Sequence, residues 1–204
     1  MSGRRGFRIL VVLIAWWGTA GVAAAQTSSS NPWGYGTTLS GSVGVGVDAE
    51  HTGSALGAAI GWELTPNTAI EGSGSWLDRG AGADAFAAAL KFRASMFGRD
   101  RAAPFVTAGV GMYRASFSRD AREIPSFHRR RMGPRLTGRQ TFTDPALVFG
   151  GGVNVFLTRH VAVRPDVEAM VVMRDSRRHV VAIAAFHVAF HFEDHPVTPS
   201  RRTR

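Results

Sequence analysis

From about residue 37 to residue 193, apolar side chains recur at every second position along most of the chain. A period of two is typical of β-strands whose two faces meet different surroundings. The Ala-rich segment 84–97 is the one stretch that a helix could claim, but its Phe86, Leu90 and Phe92 also fit a period of two. The sequence therefore predicts an all-β chain of eight strands, at about 37–48, 54–64, 68–78, 84–97, 104–118, 143–157, 161–174 and 178–193.

The connections between these strands are mostly short. Segments 65–67, 98–103 and 158–160 each join consecutive strands directly, and one long connection spans about 119–142. Short links favour pairing between sequence neighbours, which is the arrangement of an antiparallel meander. We therefore predict an eight-stranded antiparallel up-and-down β-barrel over residues 37–193.

The two faces of the strands differ in charge and in size, as in the stretch VAVRPDVEAMVV at 161–172. Large apolar residues dominate one face, while Gly, Ala and Ser accompany a few charges on the other. An eight-stranded barrel has an interior just wide enough for its side chains, so the large face is expected to meet lipid. The charged face would then line the lumen, with Glu63, Glu71, Lys91, Arg93, Arg164, Asp166 and Glu168. The alternative is a soluble periplasmic barrel that binds an apolar ligand.

The N-terminal segment predicts export. A basic stretch (MSGRRGFR), an apolar stretch (ILVVLIAWW) and small residues ending at Ala23–Ala25 follow one another, which is the order of a signal peptide over residues 1–25. An uncleaved anchor helix is the alternative. Residues 26–36 form a polar lead-in, and the tail 194–204 is predicted to be disordered.

The composition of the chain limits its partners. The sequence has 24 basic residues, 15 acidic residues and no cysteine, so disulfides and thiolate sites are excluded. Loss of Arg4, Arg5 and Arg8 with the leader would leave 21 basic residues. Because an exported chain does not meet genomic DNA, we expect no nucleic-acid partner.

Three stretches resemble strands of the small outer-membrane β-barrels of Gram-negative bacteria, the OmpA/OmpX-like group: NTAIEGSGSWLDR (67–79), APFVTAGVGMYR (103–114) and GGGVNVFLTRHVAVRPDVE (150–168). The resemblance implies an outer-membrane location, termini in the periplasm and loops outside the cell. Members of this group differ widely in role, so the fold does not define the function.

Two groups of charges are candidate sites. The inward charges predict a network of salt bridges that plugs the lumen, with a narrow pore or proton path as the alternative. Arginines in the long connection could bind lipopolysaccharide phosphates, because a guanidinium binds phosphate with two hydrogen bonds; the alternative is a mobile solvated loop. These arginines are Arg122, Arg129, Arg130, Arg131, Arg135 and Arg139.

The remaining features do not indicate catalysis or a cofactor. His187 and His191 share a face but lie about 13 Å apart along a strand, too far for one metal ion. The glycine clusters lie within strands, without the helix that a phosphate loop requires. Aromatic residues near strand ends suit interfacial girdles, namely Trp33, Tyr35, Trp62, Trp76, Tyr113 and Phe192. Pro165, inside the seventh strand, predicts a bulge or a start of pairing after it.

We therefore expect a non-enzymatic barrel of the bacterial outer membrane with a role in structure, envelope integrity or surface interaction, without a metal or cofactor. A monomer is favoured. Outer-membrane lipid, and the phosphates of lipopolysaccharide, are its expected partners. A narrow channel or a lipid-modifying enzyme remains the alternative.

Overall fold

The computed structural model describes residues 36–48, 51–79, 83–96, 101–117, 140–174 and 177–192. These ranges contain eight strands and no helix that is long and apolar enough to cross a membrane. The predicted signal peptide and tail lie outside them. The strands are β1 (Thr37–Val47), β2 (Thr52–Thr65), β3 (Thr68–Asp78), β4 (Ala83–Ser95), β5 (Ala102–Phe117), β6 (Gln140–Phe156), β7 (Val161–Arg174) and β8 (Arg177–His191).

The strands form a closed barrel. Each strand pairs antiparallel with its sequence neighbours, and β1 pairs with β8 from Thr38 opposite His191 to Val47 opposite Ala182. Closure supplies hydrogen bonds to the first and last strands, as a barrel in lipid requires. The predicted eight-stranded up-and-down topology is confirmed. We call the end where β1 begins and β8 ends the terminal end, and the end where β5 stops and β6 starts the loop end.

β6 differs most from the sequence prediction. It begins at Gln140 rather than near 143, so it includes the last residues of the predicted long connection. Phe142 packs against the interior, whereas Thr141 and Thr143 are exposed. The alternation of the strand therefore begins three residues earlier in the chain than the apolar pattern of the sequence predicted.

The outward face of the barrel is an apolar belt. Leu56, Leu90 and Val110 are each more than half exposed. They share this face with other large exposed residues, including Leu39, Ile60, Trp62, Phe86, Phe92, Phe149, Phe186 and Phe190. Exposure of apolar area to water costs about 25 cal/mol per Å², and lipid removes that cost. The belt therefore indicates a membrane-spanning barrel, and the soluble alternative, which requires the large apolar face inside, is wrong.

The interior has two layers, which the sequence did not predict. Charged side chains fill the half nearer the terminal end, while an apolar cluster that includes Leu77, Tyr113 and Phe117 fills the half nearer the loop end. Small neighbours make room for these large residues: a Cβ at Gly46 would lie 2.8 Å from Leu77 Cδ2. Tyr113 was predicted as a girdle residue, and this was wrong, because its side chain points inward and is 2% exposed.

Pro165 causes no bulge. Pairing between β7 and β8 continues through Pro165 opposite Phe186 with unchanged register. On the other side, pairing with β6 is interrupted between Gly152–Asp166 and Val155–Val163, and the same register resumes beyond the gap. Because Pro165 faces outward and its nitrogen carries no hydrogen, a local break in the ladder is sufficient. The predicted bulge and the predicted late start of pairing were therefore both wrong.

Candidate functional site

Glu71 is the centre of the charged layer in the lumen. Arg164 donates two hydrogen bonds to its carboxylate, from Nη1 to Oε2 at 2.6 Å and from Nη2 to Oε1 at 3.3 Å. Arg93 Nη1 donates to Oε2 at 3.2 Å, and Lys91 Nζ lies 3.1 Å from Oε1. Bidentate pairs of this kind are among the stronger hydrogen bonds in proteins. One carboxylate thus binds three cations.

The register of the barrel explains this geometry. Glu71 on β3 lies directly opposite Lys91 on β4, and Arg93 is two residues along the same inward face of β4. Arg164 projects from β7, on the other side of the lumen. The contacts with Glu71 therefore link β3, β4 and β7 across the interior.

The other three predicted lumen charges surround this centre. Glu168 accepts a hydrogen bond from Lys91, and Glu63 Oε1 lies 3.8 Å from Arg93 Nη2. Asp166 Oδ2 lies 3.4 Å from Arg164 Nε, which is an ion pair without hydrogen-bond geometry. The structure therefore brings all seven residues together, and we call them the lumen network. It contains four carboxylates and three permanent cations.

Two histidines extend the lumen network. Arg164 Nη2 lies 3.1 Å from Nδ1 of His187. A guanidinium only donates, so Nδ1 accepts and the ring hydrogen is on Nε2, which donates to Asp166 Oδ2 at 3.1 Å. His191 Nδ1 donates to Glu63 Oε1 at 3.1 Å. The sequence placed both histidines on one face of β8 but did not predict these partners, which depend on the register of the strands.

Phe105 covers the network on one side. The guanidinium carbons of Arg93 and Arg164 lie 5.9 Å and 5.7 Å from the centre of its ring. Both distances are within the range of cation–π contact. The ring therefore excludes water from the two arginines and stabilises their charge at the same time.

A second polar cluster lies at the loop end. Asp48 accepts hydrogen bonds from the backbone nitrogen of His51, at 2.7 Å, and from Arg79. His179 Nε2 lies 3.3 Å from its Oδ2. Arg79 in turn lies over the ring of Tyr113, 5.7 Å from its centre. The sequence did not predict this cluster. Asp48 and Arg79 follow strand ends, where the period of two no longer shows whether a side chain points inward or outward.

Both ring nitrogens of His187 are engaged within the lumen network. The β1–β8 register places Ser42 opposite His187, but both ring nitrogens of His187 already contact Arg164 and Asp166. His187 is therefore not positioned to act as a base for Ser42. Across the described ranges, no group of three or more His, Asp or Glu residues has the arrangement of a metal site.

A small cavity borders the lumen network at the terminal end. It lies beside Glu63, Arg93, Asn154 and His191 and has a volume of about 10 Å³. That volume corresponds to about one water molecule. The six arginines predicted to bind lipopolysaccharide lie outside the described residues.

The fold is similar to those of small outer-membrane barrels of known structure. The N-terminal β-barrel domain of Pseudomonas aeruginosa OprF matches with a TM-score of 0.55 and 16% identity, over 78% of this chain and 99% of that one. Neisserial surface protein A matches with a TM-score of 0.58 and 10% identity, over 76% and 96%. OprG from Pseudomonas aeruginosa matches with a TM-score of 0.51 and 13% identity, over 78% and 98%.

No family model and no curated protein sequence matches the chain. At these identities the similarity shows the fold alone. The protein is therefore a small eight-stranded barrel of the outer-membrane type, and the resemblance to the OmpA/OmpX-like group is confirmed at the level of architecture.

Proposed function

We propose that this protein is a non-conducting, non-enzymatic barrel of the bacterial outer membrane that holds its surface loops in place and supports envelope integrity. The observation that carries the proposal is the group of ion pairs around Glu71, which cross the lumen between strands on opposite sides of the barrel. The apolar cluster lies above it, so a solute would have to pass two packed layers.

The loops are the part of the protein that remains for interaction with other molecules. Six arginines fall between β5 and β6 in the sequence: Arg122, Arg129, Arg130, Arg131, Arg135 and Arg139. We propose that they bind phosphates of lipopolysaccharide, because guanidinium groups form paired hydrogen bonds with phosphate oxygens. A barrel that is rigid inside would give such a loop a fixed base in the membrane.

Two measurements test the proposal. The chain should fractionate with the outer membrane and show a heat-dependent gel shift; release in soluble form without detergent would contradict the location. In planar bilayers the folded protein should give no unitary conductance steps. Stable steps would favour the channel alternative.

The loop is tested separately. Replacement of the six arginines by alanine should weaken binding of the folded barrel to lipopolysaccharide and reduce its salt dependence. The matched control is Arg101→Ala, an exposed arginine at the terminal end. Equal binding by both variants would contradict the role of the loop.

A further inference from the structure

Asn154 is a buried side chain whose amide needs a partner. It lies on the inward face of β6 and is 4% exposed. Its Oδ1 has no hydrogen-bond partner among the residues that the structure describes. Buried polar atoms in proteins are nearly always hydrogen-bonded, either to the chain or to ordered water. A molecule that is not part of the chain is therefore expected to bind the Asn154 amide.

An ion pair beside Asn154 leaves space for the same molecule. Arg93 Nη2 and Glu63 Oε1 are 3.8 Å apart, which is too far for a direct hydrogen bond. Arg93 Nη1 is held by Glu71, and Glu63 Oε1 accepts from His191. A polar contact longer than about 3.5 Å is the kind of separation that a water molecule can bridge. Arg93, Glu63 and Asn154 all line the small cavity at the terminal end of the lumen network.

The size and the charges of this cavity select its ligand. Its volume of about 10 Å³ corresponds to one water molecule. A cation would lie beside Arg93 and an anion beside Glu63, and like charges at such short distances repel each other. A neutral molecule that both donates and accepts hydrogen bonds can serve the amide, the guanidinium and the carboxylate together. Water meets all of these requirements.

The cavity faces the terminal end of the barrel. Thr65, Pro66 and Asn67, at the turn between β2 and β3, are exposed and line its outer side. Ala103, which is 1% exposed, lies opposite Asn154 on β5 and lines its inner side. A ligand of this cavity is therefore supplied from the terminal end, and it does not have to cross the apolar layer near the loop end.

We propose that an ordered water molecule occupies this cavity and bridges Asn154, Arg93 and Glu63, so that the lumen network is hydrated on its terminal side. The water accepts a hydrogen bond from Arg93 and donates to Glu63 and to Asn154 Oδ1. Three hydrogen bonds are the usual number for a buried water molecule. The inference depends on the geometry of the lumen network and not on the proposed function.

Solution NMR of the full chain, folded in detergent micelles and labelled with [15N]asparagine, tests the site. The asparagines of the chain are Asn31, Asn67 and Asn154, so the variants Asn31→Gln and Asn67→Gln assign all side-chain amides without changing Asn154. The Asn154 amide protons should give cross-peaks with water that have opposite signs in NOE and ROE spectra, as expected for a bound molecule that tumbles with the protein. The exposed Asn67 amide is the internal control and should give no such pair of peaks.

Ala103→Val should displace the water, because the added methyl groups enter the cavity, and the Asn154 peaks with water should disappear. Ala102→Val is the matched control, since it adds the same atoms on the outward face of β5, and it should keep the peaks. The heat-dependent gel shift shows that each variant is folded.

Two results would overturn the site: absence of the bound-water peaks at Asn154 in the folded wild type, or their persistence in the folded Ala103→Val variant. The wild-type spectrum alone decides whether water is bound if the valine variant does not fold. Loss of the peaks when choline replaces Na⁺ in the buffer would overturn the ligand, because it would show that occupancy depends on a metal cation.

Discussion

Arg164 and Glu71 meet across the lumen through two hydrogen bonds, although β7 and β3 lie on opposite sides of the barrel. Both side chains are almost completely buried. A buried ion pair has paid the cost of leaving water, and loss of one partner leaves the other charge uncompensated. The stability of the barrel therefore depends more on keeping this pair complete than on the attraction between its members.

Glu71→Ala should lower the free energy of unfolding by about 3–5 kcal/mol, because three cations would lose their shared carboxylate. Urea unfolding in lipid bilayers measures this change. The matched control is Glu168→Ala, which removes a more exposed carboxylate that contacts Lys91 and should have a smaller effect. Similar losses in the two variants would contradict a central role for Glu71.

Arg164→Lys should also destabilise the barrel, by about 1–3 kcal/mol. Lysine keeps the positive charge but cannot form the two-oxygen contact with Glu71 and the contact with His187 at the same time. The same unfolding experiment, compared with Arg164→Ala, separates geometry from charge. A lysine variant as stable as the wild type would mean that charge alone matters.

Leu77→Ala tests the apolar layer. Leu77 is 2% exposed in the interior, and truncation of a buried leucine costs about 2–5 kcal/mol. Leu90→Ala is the control, since Leu90 is on the outward face, where lipid can fill the space. A loss confined to the Leu77 variant is expected in lipid unfolding measurements, and equal losses would argue against a packed interior.

Val110→Arg tests the membrane belt. Val110 is 59% exposed near the middle of β5, and an arginine at the bilayer midplane costs about 2–4 kcal/mol. Leu157→Arg, just beyond the end of β6, should cost less than about 1 kcal/mol. If both variants unfold like the wild type, the belt does not face hydrocarbon.

The period of two was sufficient to predict the number of strands, their order and the inward position of the lumen charges, because each of these depends only on alternation and short connections. The side-chain contacts across the lumen could not be predicted from the same pattern. Whether Arg164 meets Glu71 or Glu63 depends on strand stagger around the whole barrel, which no local pattern encodes. Tyr113 was assigned to an interfacial girdle because it is aromatic. It lies an even number of positions from Phe105 and Phe117 on β5, so the alternation of the strand places all three side chains inside.

The Arg164–Glu71 contact also has a consequence for how the barrel assembles. In a flat sheet the four strand steps between β3 and β7 would separate their backbones by about 19 Å, so the two side chains, 93 positions apart in sequence, come together only when the sheet curls. Until then the polar face stays open, and the nascent chain has no single partner for these charges. Closure of the β1–β8 seam and neutralisation of the interior should therefore coincide in time, which makes the pair a late step of insertion.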